Sequence, residues 1–160
     1  MGTPDGIAPV RGFESQKYLG TWYEIARIDN RFERGLSNVT ATYSVKDNGD
    51  IRVLNRGYKD AKGKWETAEG KARFVGEADT AHLKVSFFGP IFASYIVFEL
   101  EPNYQHSFVT GNDRDYLWFL ARDPNISPEL KAQFLARVTE LGFDTDDLIW
   151  VEHDLQADNE

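Results

Sequence analysis

From Gly20 onward the chain is built of short runs whose apolar residues recur at every second position, the repeat of a strand with one face on a core. Residues 38–45 alternate most cleanly, with Val39, Ala41, Tyr43 and Val45 set against Thr40, Thr42 and Ser44. Asn48-Gly49 supplies the left-handed backbone of a tight hairpin. In 51–58, Val53 and Asn55 share one face and Arg52 and Arg56 the other. Residues 64–75 set small Ala68, Gly70 and Ala72 against Glu69, Lys71 and Arg73, and 81–88 sets Leu83, Val85 and Phe87 against His82, Lys84 and Ser86. Gly89-Pro90 breaks that run. Residues 92–100, 105–111 and 115–122 follow; Tyr95 and Val97 pair on one face of the first, while Tyr116, Trp118 and Leu120 share the face of Arg122 in the last. With the opening run at 18–27, this makes about eight strands at the spacing of an all-β sandwich or barrel.

The period then changes. Ser127 suits an N-cap, Pro128 the first helical position and Glu129 the positive end of the helix dipole. Leu130, Phe134, Val138 and Leu141 recur at helical spacing and Gly142 stops the run, predicting one amphipathic helix over about 127–141. Residues 147–153 predict a short final strand. Eight antiparallel strands in a meander close naturally into an up-and-down barrel, which removes exposed sheet edges. At that strand number the interior either just fills with side chains or holds one small ligand. Ala68, Gly70 and Ala72 leave room for a ligand; glycine and alanine also relieve strain at a barrel corner.

The opening run "YLGTWYEIAR" does not alternate plainly. Trp22, Glu24, Ala26 and Ile28 fall on one face and Tyr23, Ile25 and Arg27 on the other, so an acid sits among apolar side chains. A buried carboxylate needs partners or a raised pKa. Glu24 is therefore either a paired acid bonded to Tyr or Arg groups across the lower barrel, or a polar contact to a bound head group.

Composition removes several functions. The 160 residues carry a net charge of −8 with no basic stripe, which argues against nucleic acid. There is no cysteine, hence no disulfide, thiolate metal site or thiol catalysis. No run approaches the roughly 20 apolar residues of a helical membrane span. Residues 1–12 read as a loose leader without a signal-peptide core. Nucleophile-elbow, zinc-protease, dinucleotide and P-loop motifs are missing, and His82, His106 and His153 have no metal-ligand spacing. His82 and His106 fall on outward faces and are expected to be solvated. Asp144, Asp146 and Asp147 lack the glycine and distal glutamate of a calcium loop. No metal or cofactor is called for.

Taken in order, "GTWYE" (20–24), "RFERGL", "KVSFFGP" and "GNDRDYLWFLAR" (111–122) resemble the lipocalins, and most narrowly the bacterial outer-membrane lipocalins, with apolipoprotein D a more distant relative. The resemblance spans Phe13 to His153. It implies a single barrel domain over 13–160, with Gly20, Trp22, Tyr23 and Arg122 as its structural signature. Trp22 would plug the closed end under Arg122, and Arg122 would also bond carbonyls of the segment near Phe13. Tyr23 would face out under covering structure. The ligand wall expected from the pleat is Val39, Ala41 and Tyr43; Val53 and Asn55; Ala68, Gly70 and Ala72; Leu83, Val85 and Phe87; Tyr95 and Val97; and Tyr116 and Trp118. The loop of Phe32 and Leu36, with Phe88, Ile91 and Phe92, would form the mouth and contact either a membrane or a second copy of the chain. The function implied is carriage of a fatty acid or lysophospholipid at the bacterial cell envelope. The alternatives are a lipid-acting enzyme on the same barrel and an interaction module with a solid core.

Overall fold

The computed structural model describes residues 2–155. The last five positions of the domain expected over 13–160, and the Phe88 side chain, lie outside the described residues. Eight antiparallel strands run up and down: β1 (Gly20–Ile28), β2 (Leu36–Val45), β3 (Ile51–Lys59), β4 (Lys64–Phe74), β5 (His82–Phe88), β6 (Ile91–Leu100), β7 (His106–Thr110) and β8 (Leu117–Ala121). β8 pairs with β1, and β1 pairs with β2 through Gly20↔Tyr43 to Tyr23↔Thr40, which closes the barrel. Above that contact β1 turns to β9 (Leu148–Trp150), and Asn38 of β2 donates its backbone N–H to Glu152. The C-terminal segment thus fills the gap where β1 and β2 part.

Two apolar layers result. One lies inside the barrel around Trp22, Tyr43, Val53, Leu83 and Val97. The other lies outside, where α2 (Pro128–Glu140) docks on β6–β8 and β1. Ser127 caps α2 by accepting from the Leu130 N–H, and the fully buried Phe134 packs on Phe119 and Phe108, with ring centroids 4.6 and 5.0 Å apart.

The segment expected as a loose leader is laid against the barrel. Val10 donates to the Val97 carbonyl and accepts from the Ala81 N–H, both at 2.9 Å; Ile7 is buried in the helix-side layer. Phe13 is buried across the base, and a single helical turn, α1 (Ser15–Tyr18), leads into β1. The segment lacks periodicity because it follows the barrel surface without repeating.

A β-bulge resolves the opening run. Glu24 pairs with Leu120 but Ala26 pairs with Phe119, so Ile25 is an extra residue. The faces exchange there. Trp22 and Glu24 point inward; Ile25, Ala26 and Ile28 join the helix-side layer. Arg27, opposite inward-facing Trp118, points into the barrel, which corrects the strict alternation that put it outside.

Candidate functional site

At the closed end Trp22 is wholly buried and its indole N–H donates to the Tyr18 carbonyl at 2.8 Å. The Arg122 guanidinium lies 3.8 Å from the indole centroid. It donates to the carbonyls of Lys17, Leu19, Thr21 and Tyr104 at 2.9–3.2 Å. One cation thus satisfies acceptors on α1, on β1 and on the β6–β7 turn. Gly20 makes this approach feasible: its φ is +98°, and a Cβ there would stand 3.3 Å from Arg122 Nη1. Tyr23 faces outward into the helix-side layer and meets His153 edge-on.

The wall residues divide by exposure. Ala41, Tyr43, Val53, Ala72, Leu83 and Val97 are buried in the inner layer, and Val39 packs over Gly57. Asn55, Gly70, Val85, Phe87, Tyr95 and Trp118 lie on the same inward faces yet are only half-buried, and Ala68 is exposed. An inward-facing side chain reached by solvent means an open lumen. Tyr116 precedes β8 and stacks on Trp118 with centroids 5.9 Å apart. Gly70 serves a different purpose from the room expected of it. A Cβ there would sit 2.5 Å from the Ser86 carbonyl oxygen and 2.7 Å from the Phe87 ring. The missing side chain is replaced by Phe87, which leans onto the β4 backbone. At the closed end the remaining space is about 20 Å³, lined by Phe13, Tyr18, Leu19, Tyr43, Ala72 and Tyr95 among others.

Nearer the mouth lies a charged cluster. Arg27 Nη1 donates to Glu24 at 3.1 Å and to the Leu36 carbonyl; Nη2 donates to the Glu33 carbonyl and Nε to Asp29. Asn30 receives the N–H groups of Phe32 and Glu33, shaping the loop so that Glu33 Oε1 accepts the Trp118 indole N–H at 2.7 Å. Burial pushes the Glu24 carboxyl well above the usual carboxylate range, and the neighbouring Glu33 adds to this; Arg27 opposes both. Burial disfavours the Arg27 charge, but Glu24 and Glu33 outweigh it. Glu24 is thus a paired acid, with Arg27 rather than a tyrosine as its partner. The sequence signal for Arg27 and Glu33 was absent, because neither a bulge nor an Asn-centred loop leaves a periodic trace.

Two further expectations change, those for Phe92 and for the two histidines. Phe92 lies on the outer wall below Lys84, 4.8 Å from its ammonium, while Phe32 and Ile91 are 63% and 71% exposed at the rim. His82 and His106 face outward but are half-buried rather than solvated, and burial pushes both below the ordinary imidazole value. Asp144 caps a 3₁₀ turn by accepting from the Asp146 N–H, and among the described residues no group of three or more acids or histidines could hold a metal.

A family model described as a lipocalin-like domain matches residues 13–153. Outer membrane lipoprotein Blc of Citrobacter freundii is 54% identical over 93% of this chain and 84% of its own length, and that of Escherichia coli K12 is 53% identical over the same shares. Temperature-induced lipocalin-1 of Arabidopsis thaliana is 34% identical over 84% of this chain and 76% of its own. Among solved structures, insecticyanin from the tobacco hornworm superposes with a TM-score of 0.74 at 17% identity, covering 98% of this chain and 88% of that one, a likeness of fold. The barrel closed by Trp22 and Arg122 and the profile match over 141 residues lead to one conclusion: the chain belongs to the lipocalin family.

Proposed function

We propose that the barrel binds and carries one single-chain lipid, a fatty acid or a lysophospholipid, at the bacterial cell envelope. The protein is a binding protein of its family and not an enzyme. The observation that carries the ligand reading is the inward wall that is left incompletely covered: Phe87 and Trp118 face the lumen and are only half-buried. A solid core would have covered them. Envelope placement is supported by relatives named as outer membrane lipoproteins. The exposed rim residues Phe32 and Ile91 support exchange of the lipid with a membrane, and the same rim would be the contact in a homodimer.

Native mass spectrometry of the purified protein tests this reading. The expected spectrum shows one acyl lipid per chain, or uptake of one palmitate or one palmitoyl lysophospholipid after delipidation. A bare chain that takes up neither would contradict it. A lipid-acting enzyme would instead turn over the lysophospholipid.

A further inference from the structure

Four hydroxyls form one chain at the closed end of the barrel. Ser107 Oγ lies 3.0 Å from Tyr18 Oη, Tyr18 Oη 2.8 Å from Tyr95 Oη, and Tyr95 Oη 2.7 Å from Tyr43 Oη. Each hydroxyl carries one proton, and each link consumes one. Four protons serve three links, so whichever way the chain is oriented one O–H has no acceptor among the described residues. Burial raises the Tyr18 hydroxyl to about 12 and holds Tyr43 and Tyr95 well above the ordinary tyrosine value, so all three keep their protons at neutral pH.

Geometry says where the spare proton is available. Tyr18, Tyr43 and Tyr95 all line the closed-end space of about 20 Å³, while Ser107 does not. The space is on the scale of a single water or one hydroxyl group. One of its walls is Tyr18, whose ring lies 4.6 Å from that of the base tryptophan Trp22, at the depth where the far end of an acyl chain entering from the mouth arrives. Ser15 also borders the space, and the rest of the lining is apolar: Phe13, Leu19, Ile51, Ala72, Leu83 and Val85. Phenylalanine at the three tyrosine positions would serve a purely hydrocarbon ligand better, since a buried donor without an acceptor is costly.

Resting on the reading of the barrel as a lipid carrier, we propose that the Tyr18–Tyr95–Tyr43 hydroxyls form a recognition site for an oxygen at the far end of the ligand. The barrel then selects single-chain lipids bearing a hydroxyl or carbonyl at or near the ω carbon over lipids ending in a methyl group. The ligand oxygen accepts the spare proton, and a ligand hydroxyl can in turn donate into the chain.

The test compares 16-hydroxyhexadecanoate with heptadecanoate, acids of equal heavy-atom number, by displacement of a fluorescent fatty acid from the full chain. The hydroxy acid should bind roughly five- to tenfold more tightly, the worth of one hydrogen bond. Tyr43→Phe should keep much of this preference, because Ser107, Tyr18 and Tyr95 still hold one proton more than they can spend. The triple variant Tyr18→Phe/Tyr43→Phe/Tyr95→Phe, checked for a cooperative melt, should abolish it. Equal affinities in the wild-type chain, a comparison that needs no variant, overturn the proposal; so does a preference that persists in the folded triple variant. Failure of both acids to bind overturns the carrier reading itself, and this proposal with it.

Discussion

Arg27 is the residue on which the mouth of the barrel turns. Its guanidinium ties β1 to the Asn30–Leu36 loop and holds Glu24, which uses all but one of its five N–H donors and leaves too few for a bidentate clamp on a ligand carboxylate. Glu24 gives that cluster a pH dependence. Its folded pKa lies above its unfolded value, so its contribution to stability is complete below about pH 4.5, the unfolded range. The contribution is lost as pH rises through the folded value. Glu24→Gln removes this titration, and the variant should gain on the wild type as pH increases from 4 to 8. Parallel melting curves at both ends of that range would contradict the assignment. At the base, Arg122→Ala removes a cation over an indole and leaves four carbonyls without a partner, which should cost roughly 1–3 kcal/mol in denaturant unfolding. An unchanged midpoint would show that the base is held by something else. Neither the Arg27 cluster nor the seat of Phe87 on Gly70 could be seen in the sequence, because both depend on which residues a bulge or a close approach brings together.

Among the elements, the strands and α2 were legible because period 2 and period 3.6 are written directly in the chain, and their ends fall within a few residues of the turn and cap signals. What broke legibility was irregularity. The extra Ile25 in β1 reverses every side chain beyond it, so a face assignment correct at Trp22 is inverted at Arg27. The N-terminal segment is hidden for the opposite reason: it has no repeat, yet Ile7 is buried and Val10 bonds to both neighbours. Deleting residues 2–8 should therefore destabilise the fold by about 2 kcal/mol, the burial of one isoleucine. A melting temperature within error of the full chain would contradict that. Truncating Phe134 to alanine, which empties the contact with Phe108 and Phe119, should cost about 3–5 kcal/mol.

For the whole molecule, the balance of forces points to apolar burial as the source of affinity. A palmitoyl chain has about 14 methylenes at roughly 0.8 kcal/mol each, about 11 kcal/mol gross. Association and chain ordering cost several kcal/mol, and a micromolar complex requires only about −8. The chain as a whole carries −8, and the inward Arg27 is already paired, so binding should depend weakly on salt. Trp118 stands in the half-open lumen with its N–H on Glu33, and its fluorescence should change as the barrel fills. The most direct measurement is the affinity of saturated fatty acids as a function of length, from C8 to C18. A lipid-filled barrel predicts affinity that climbs with each added methylene until the lumen is full and then levels off. A response flat from C8 to C18 would contradict it.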